Sequence, residues 1–402
     1  MPKSNTKLNT SAKKNTDKIY LDYASSALAQ SANPGAIHSP GVKEKNKLEN
    51  ARAVVAGILN AQADEIIFTS GATESNNLAI LGLVQNFLQD HKLPHIVTTN
   101  IEHASVLEVC KHLEKIKQAK VTYVPVETNG VVDPRKIKKA LTKNTVLVSV
   151  MYANNEIGTI QPIRDIAKEI RHYNKINTKK ARLAARQVFF HTDATQAVNY
   201  LPVKAPFLGV DLMSLNSAKI YGPKGVGVLY VKRKTPIEKI MWGGEQERGL
   251  RPGTENVLGV LEFTKAFQIT EKIKEKEIKR LTELRDYFID RLRNKKESFA
   301  ELIINGDLKN RLPNNINITI PKIPSDLLVI ELSARGIMAS SKSACKSGDI
   351  QASHVIEAIN PKAKETDGSL RFSLGRETTR ADIDFTVKAL SQILIKLKKW
   401  YN

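Results

Sequence analysis

Between residues 42 and 260 the chain alternates between segments of helical periodicity and short apolar runs rich in β-branched residues. The segment VKEKNKLENARAVVAGILN predicts an amphipathic helix with Leu48, Ala51, Val55 and Leu59 on one face. Uninterrupted apolar runs are typical of strands that are buried on both faces. Seven such runs occur, in EIIFTS, HIVTTN, KVTYVPV, TVLVSVMYA, QVFFHTDA, DLMSLNS and GVGVLYVK. Because helix-length segments separate most of them, the pattern predicts an α/β fold with a seven-stranded, mostly parallel sheet covered by helices.

The pattern changes after residue 260. A long charged helical region is followed by the strand-like run NNINITI, the helical segment SDLLVIELSARG, the run IMASS and the strand-like run SLRFSLGR. A last helix is predicted from TTRADIDF onward, where Thr379 and Asp382 have the spacing of a capping box. This region predicts a smaller α+β domain.

The chain therefore divides into two predicted domains and a tail. Residues 1–18 carry five lysines and almost no bulky apolar side chains, so we expect a disordered basic tail. The large domain is predicted at residues 19–260 and the small C-terminal domain at residues 261–402.

The formal net charge of +21 is strongly basic for 402 residues. Such a charge favours either an RNA or acidic protein partner, or a lysine-rich surface that is merely solvated. The lysines are scattered with little aromatic interleaving, so direct nucleic-acid binding is not predicted.

Membrane and secretory classes are not predicted either. No apolar stretch approaches the roughly 18 residues of a membrane span, and the N-terminus has no apolar signal core. Two cysteines provide no disulfide framework, so we expect a cytoplasmic protein.

Two residues of the predicted sheet suit a pyridoxal 5′-phosphate (PLP) site. Lys219 follows the strand-like run DLMSLNS, and Asp193 ends the apolar run QVFFHTD. A lysine can hold the cofactor aldehyde as a Schiff base, and a carboxylate that faces the ring nitrogen keeps it protonated. Lys224 competes with Lys219, but it lies between Pro223 and Gly225, where a solvated charge is expected.

A cofactor phosphate would fit the segment EIIFTSGATESNNLAI. It predicts a strand, a tight turn at Ser70 and Gly71, and a helix that begins near Thr73. The N–H groups at such a helix start bind anions, which makes Ala72 and Thr73 candidates. A turn before a helix is weak evidence alone.

His103 and Asn155 each follow a predicted strand. The histidine could stack on the cofactor ring and carry protons, or it could be structural. The asparagine could donate to the cofactor or to a substrate carboxylate, or it could form a turn. Arg371, within SLRFSLGR, could clamp a substrate carboxylate, with Arg376 as the competing candidate.

The two cysteines differ in setting. Cys110 has helical spacing from apolar neighbours and is expected in the core. Cys345 lies in SSKSACKSGD beside Lys342 and Lys346, where nearby cations would stabilise a thiolate. The alternative for Cys345 is an incidental surface cysteine.

With these residues in place, the chain resembles the cysteine desulfurases of the class V aminotransferase group, in particular the branch that serves iron–sulfur cluster assembly and nitrogen fixation. The resemblance runs from IYLDYA to the last helix. Its motifs occur in family order: YLDYA, FTSGATESNNLAI, EHASV, NNEIGTIQP, HTDATQA, KIYGPKG, GGEQERGLRPGTENV and LRFSLGR. It implies a PLP-dependent fold-type-I homodimer that converts L-cysteine to L-alanine.

The resemblance also implies roles around the cofactor. Lys219 would bind the cofactor and move the substrate α-proton, while His103 would stack on the ring. Asp193 would pair with the pyridine nitrogen, Gln196 would contact the ring hydroxyl, and Thr73 would bind the phosphate.

Further roles concern the substrate and the second subunit. Asn155 and Arg371 would position L-cysteine, and Cys345 would attack its sulfur and carry the persulfide. Thr254 in RPGTEN would reach the phosphate of the neighbouring subunit.

The chain departs from the family pattern in three places. The family's usual Ser-Gly-His before the lysine is replaced by Asn216, Ser217 and Ala218, so either Asn216 or Ser217 supplies the missing phosphate contact or cofactor affinity falls. A helix expected within 25–32 is missing, and the lysine-rich stretch NKINTKKARLAAR looks like an insertion.

Several alternatives stay open. The same residues suit a selenocysteine lyase or another class V transferase, and a catalytically weakened, basic partner-binding homologue is the alternative outside catalysis. The expected sulfur acceptor is a protein, either an iron–sulfur scaffold or a tRNA-thiolation enzyme. No metal site is predicted.

Overall fold

The computed structural model of the protein describes residues 20–26, 31–88, 93–180, 187–295, 299, 301–341, 353–362 and 368–401. The predicted tail at 1–18 and the predicted nucleophile Cys345 lie outside these residues.

The seven predicted strands are confirmed and form one sheet. They are β1 (Ile66–Thr69), β2 (His95–Thr99), β3 (Lys120–Val124), β4 (Thr145–Ser149), β5 (Phe189–Asp193), β6 (Leu212–Asn216) and β7 (Gly227–Val231). Their order is β1-β7-β6-β5-β4-β2-β3. Strand β7 runs antiparallel to both β1 and β6, and the other neighbouring pairs are parallel.

Helices cover both faces of this sheet, as the apolar runs predicted. The helices described between residues 39 and 208 are α1 (Ser39–Leu59), α2 (Ala72–Leu88), α3 (Ala104–Lys115), α4 (Pro134–Ala140), α5 (Ile163–Lys180) and α6 (Ala205–Leu208). One hydrophobic cluster joins α2 and α3 to the sheet through Leu83, Val106 and Leu113. A second, larger cluster contains α1 and α5 and continues into the C-terminal region.

The C-terminal region contains a three-stranded antiparallel sheet with helices around it. Its strands, in the order β10-β9-β8, are β8 (Ile303–Ile304), β9 (Asn315–Ile320) and β10 (Gly368–Ser373). Its helices are α7 (Val257–Arg293), α8 (Ser325–Ser333), α9 (His354–Ile359) and α10 (Arg380–Tyr401).

Helix α7 connects the two parts of the chain. Its buried Phe263 and Phe267 lie 5.7 Å apart, and its Phe288 packs against Phe372 of β10. The predicted domain boundary at residue 260 falls within the first turn of this 37-residue helix and stays a prediction.

The capping box predicted for the last helix is confirmed. The backbone N–H of Thr379 donates to Asp382 Oδ2 at 2.8 Å, and the Asp382 N–H donates to Thr379 Oγ1 at 3.3 Å. These bonds satisfy donors at the start of α10. Within the described residues, no helix is long and apolar enough to cross a membrane.

Candidate active site

A cavity of about 520 Å³ opens where the parallel strands end. The carboxyl ends of parallel strands meet at one edge, so side chains that follow β2, β4, β5 and β6 converge there. Nine sequence-predicted residues line this cavity: Ala72, Thr73, His103, Asn155, Asp193, Gln196, Asn216, Lys219 and Arg371. Thr254 lies on an exposed loop and does not line the cavity of its own chain.

The turn between β1 and α2 is held by its own polar groups. Glu74 accepts from the backbone N–H of Ser70 at 2.8 Å, and the hydroxyls of Thr69 and Ser75 are 2.8 Å apart. Arg251 donates to the other Glu74 oxygen at 2.9 Å. The start of α2 at Ala72 therefore has a fixed position beside the cavity, as a phosphate site requires.

Asn216 is the better of the two candidates for the missing phosphate contact. Its Nδ2 lies 4.0 Å from the position that a Cβ on Gly71 would take, so the amide faces the turn before α2. Ser217 does not line the cavity, and its hydroxyl packs against Gly222.

Asp193 is a buried carboxylate whose two oxygens accept from N–H groups. The backbone N–H of Thr195 donates to Oδ1 at 2.9 Å, and the amide of Asn76 donates to Oδ2 at 2.8 Å. Among the described residues, no lysine or arginine forms a salt bridge with it. A buried carboxylate needs a cation, so the residue fits a protonated pyridine ring.

His191 lies two positions before Asp193 on the same strand. Its ring nitrogens contact the hydroxyls of Ser149 at 2.8 Å and Ser214 at 3.0 Å. Burial lowers its pKa to about 4, although the Asp193 carboxylate acts in the opposite direction. The side chain is therefore neutral near pH 7.

His103 is the N-cap of α3 as well as a cavity residue. Its Nδ1 accepts from the backbone N–H of Ser105 at 3.2 Å and contacts the Ser105 hydroxyl at 2.8 Å. The neighbouring Glu102 is buried, and burial raises its pKa to about 8 despite donated bonds from Met151 and Thr99. Asp193 contributes to the same shift.

The structure separates the two candidate lysines. Lys219 ends the short 3-10 helix Ser217–Lys219 that follows β6, and its side chain lines the cavity. Lys224 lies in the exposed loop beyond it and does not line the cavity. Position therefore favours Lys219 as the cofactor lysine.

Arg371 lines the cavity, whereas the competing candidate Arg376 does not. Arg371 donates from Nη1 to the carbonyl of Asn155 at 3.1 Å, and its buried Nε has no hydrogen-bond partner in the described part of the chain. Burial lowers its pKa, although Glu156 acts against this. Arg376 instead covers the ring of Tyr221 at 3.9 Å and donates to Thr270. The unused donor of Arg371 fits a substrate carboxylate.

Sequence reasoning missed Asn76 and Ser105, which contact the predicted residues. Asn76 is fully buried in α2 and donates to both Ser105 Oγ and Asp193. It precedes the buried Ile80 and Leu83 by four and seven positions, so it lies on their apolar face. A polar residue on an otherwise apolar helix face is the sequence feature that could have indicated a buried hydrogen-bonding role for Asn76. The prediction that Cys110 is buried is confirmed, and burial raises its pKa to about 12.

Comparisons with known proteins identify the family of this chain. The model of the family described as "Aminotransferase class-V" matches residues 6–385. A cysteine desulfurase IscS from Dictyoglomus turgidum is 42% identical over 395 residues, with 95% of each chain covered.

Two solved structures are similar to the chain over most of its length. A NifS-like protein has a TM-score of 0.81 at 34% identity, covering 91% of this chain and 92% of the other. A structure described as SspA in complex with cysteine has a TM-score of 0.69 at 31% identity, covering 85% and 90%. The chain therefore belongs to the class V aminotransferase family of PLP enzymes and, within it, to the cysteine desulfurases.

Proposed function

We propose that this protein is a PLP-dependent cysteine desulfurase that takes sulfur from L-cysteine, carries it on Cys345 and releases L-alanine. The observation that carries the proposal is that Lys219, Asp193 and Arg371 line one cavity, with the buried Nε of Arg371 unpaired among the described residues. The similarity to cysteine desulfurases favours this function over a selenocysteine lyase or a non-catalytic binding protein.

The substrate would be oriented by its carboxylate. Arg371 offers Nε to that group while its Nη1 stays on the Asn155 carbonyl. The bound cofactor would supply an electron sink for the substrate α-carbon. Lys219 would bind the cofactor and move the α-proton, and Asp193 would hold the positive charge of the ring nitrogen.

The cofactor would be held from several sides. Ala72, Thr73 and Asn216 would surround the phosphate, while His103 and Gln196, which line the same cavity, would contact the ring. Thr254, exposed and outside the cavity of its own chain, would serve the other subunit of a homodimer.

Cys345 would act as a thiolate on the substrate sulfur. Its Sγ forms a bond with that sulfur while the carbon–sulfur bond breaks. The bonding electron pair stays with the substrate carbon, which takes up a proton to give alanine. The persulfide sulfur would then pass to an iron–sulfur scaffold or a tRNA-thiolation enzyme, and a free thiol of this kind suits the cytoplasm.

Described residues on both sides of Cys345 support its assignment. Ser340 exchanges two backbone hydrogen bonds with Arg371, at 2.7 and 3.2 Å. Ser353 donates its hydroxyl to the buried Glu156, the neighbour of Asn155. One flank of the cysteine segment therefore contacts Arg371, and the other contacts Glu156, the sequence neighbour of Asn155.

The decisive experiment supplies L-cysteine to the pure protein and measures alanine, sulfide under reducing conditions, and persulfide on Cys345 by mass spectrometry. We expect Lys219→Ala to lose all turnover and Cys345→Ala to lose sulfur release. The matched controls are Lys224→Ala, in the exposed loop, and Cys110→Ala, in the core, which should keep both products.

Sulfide release by Cys345→Ala at the wild-type rate would refute the nucleophile. Faster turnover of L-selenocysteine with Cys345 dispensable would support the lyase instead. A wild-type protein that binds no PLP would support the non-catalytic alternative.

A further inference from the structure

A chain of hydrogen bonds connects His103 to Asp193 inside the large domain. His103 Nδ1 lies 2.8 Å from Ser105 Oγ, which lies 2.8 Å from the Nδ2 atom of Asn76. The same Nδ2 lies 2.8 Å from Asp193 Oδ2. Asn76 is fully buried and Ser105 is 8% exposed, so the two bonds of the Asn76 amide are shielded from water.

The direction of every bond in this chain follows from the Asp193 end. A carboxylate only accepts, so the Asn76 amide nitrogen faces Asp193 and donates one N–H to it. Its other N–H points to Ser105 Oγ, which therefore accepts. The hydroxyl proton of Ser105 is then left for Nδ1 of His103.

A backbone hydrogen bond independently indicates that Nδ1 of His103 is an acceptor. The N–H of Ser105 donates to His103 Nδ1 at 3.2 Å, because His103 caps α3. Two donors therefore converge on Nδ1, which must be the unprotonated nitrogen of a neutral ring. The ring proton belongs on Nε2, which makes no hydrogen bond with a described residue.

We propose that Asn76 and Ser105 are positioning residues that fix the tautomer of His103 and the orientation of Asp193 together. This inference rests on the proposed roles of His103 and Asp193 beside the cofactor. Proton exchange at His103 would then pass through Nε2 alone, because a proton on Nδ1 would disrupt both hydrogen bonds to that atom.

A packing role alone accounts poorly for Asn76. Its Oδ1 is buried and has no hydrogen-bond partner in the described part of the chain. An unpaired buried acceptor is unfavourable, and an apolar residue would avoid it. An asparagine at this position provides two N–H groups, which donate to Ser105 and to Asp193.

The test uses the full-length protein with ¹⁵N-labelled histidine, measured before and after addition of PLP. Two-bond ¹⁵N–¹H correlations distinguish protonated from unprotonated ring nitrogens, and the variant His103→Asn identifies the signals of His103. In the wild type we expect an unprotonated Nδ1 and a protonated Nε2 in both samples.

Two variants should change this result. In Ser105→Ala one donor to Nδ1 is lost, and in Asn76→Ala the Ser105 hydroxyl becomes free to accept from Nδ1. Each change weakens the preference for the Nε2 proton by about tenfold, the effect of one hydrogen bond. Ser105→Thr retains the hydroxyl and should restore the wild-type pattern.

The controls remove equivalent contacts elsewhere. Ser149→Ala deletes a buried hydroxyl 2.8 Å from the Nδ1 of His191, and Asn305→Ala deletes a buried amide that donates to Asn317 and Thr319. Neither should alter the His103 signals. Asn76→Ala should also weaken PLP binding about tenfold, whereas Asn305→Ala should not.

A wild-type His103 with its proton on Nδ1 would overturn the inference, as would variants with unchanged His103 signals and only a lower melting temperature. Failure of the proposed function has a different signature. In that case the wild type would bind no PLP or release no sulfide, while the tautomer of the cofactor-free protein could still be as described.

Discussion

The guanidinium of Arg52 and the carboxylate of Glu247 form a buried two-point ion pair, with both N–O distances at 2.7 Å. Glu247 also accepts from the backbone N–H of Phe68 in β1, at 2.8 Å. The pair joins two residues that are 195 positions apart. Through Glu247, the loop that contains Thr254 is attached to α1 and β1. The ion pair therefore anchors the loop of Thr254, the residue that we propose contacts the cofactor of a second subunit.

Replacing Arg52 by leucine should destabilise the protein severely. The substitution leaves the Glu247 carboxylate buried and unpaired, which costs about 3–5 kcal/mol. Urea denaturation measures this loss. The control is Arg233→Ala, which removes an exposed two-point pair with Asp64 and should cost at most about 1 kcal/mol. Equal losses in the two variants would contradict the assigned burial.

Replacing Gly227 by alanine should damage the phosphate side of the cavity. A Cβ at Gly227 would lie 2.5 Å from the Cα of Gly71 and 2.8 Å from Thr69 Oγ1, so the turn before α2 must move. We expect a loss of about 1–3 kcal/mol in unfolding free energy and at least about tenfold weaker PLP binding. The second quantity is measured by absorbance titration.

Gly57 in α1 is the matched control for that substitution. Nothing lies within 4 Å of a Cβ at this position. Gly57→Ala should therefore stabilise the helix by about 0.5–1 kcal/mol and leave PLP affinity unchanged. Unaltered PLP affinity in Gly227→Ala would show that the turn does not hold the phosphate.

Glu102 should give the protein a pH-dependent stability. Burial raises its pKa from 4.5 to about 8, so the folded state keeps a proton that the unfolded state releases. The stability that this group contributes is complete below about pH 4.5 and falls by about 1.4 kcal/mol per pH unit until about pH 8.

The comparison that isolates this effect is between wild type and Glu102→Gln, by urea denaturation across pH 5–8. As the pH rises, the unfolding free energy of the wild type should fall relative to that of the variant. Glu108→Gln, at an exposed position of α3, should show no such trend. A pH-independent difference for Glu102→Gln would mean that Glu102 is ionised when folded.

Replacing Arg371 by lysine should raise KM for L-cysteine by about 10–100-fold. Arg371 can donate from Nη1 to the Asn155 carbonyl and from Nε to the substrate, because its donors lie on separate nitrogens. Lysine has a single nitrogen and cannot reproduce this planar arrangement. Initial-rate kinetics separate KM from kcat. Arg376→Lys, at a residue that does not line the cavity, should leave KM unchanged, and an unchanged KM in Arg371→Lys would remove that residue from substrate binding.

The apolar runs were sufficient to predict the main sheet, because strands buried on both faces cannot alternate with polar residues. They could not give the antiparallel direction of β7, which depends on a short polar turn between β6 and β7 rather than on side-chain pattern. Asp193 stands out because a carboxylate at a buried strand end needs a cationic partner, and Lys219 stands out because it directly follows a strand. Asn76 and Ser105 did not stand out, since a polar residue in a helix is ordinary until the helix is known to be buried.

The sequence by itself determined the α/β character and the seven strands of the main sheet, because both depend on local periodicity, and it pointed to nine of the residues that line the cavity. The tertiary structure showed that Arg371 and Asn216 line the cavity, whereas their competitors Arg376 and Ser217 do not. It alone joined Asn76 to Asp193 across 117 positions of the chain. The physical reason is that hydrogen bonds and burial depend on distances in space, and parallel strands bring together residues that the sequence holds far apart.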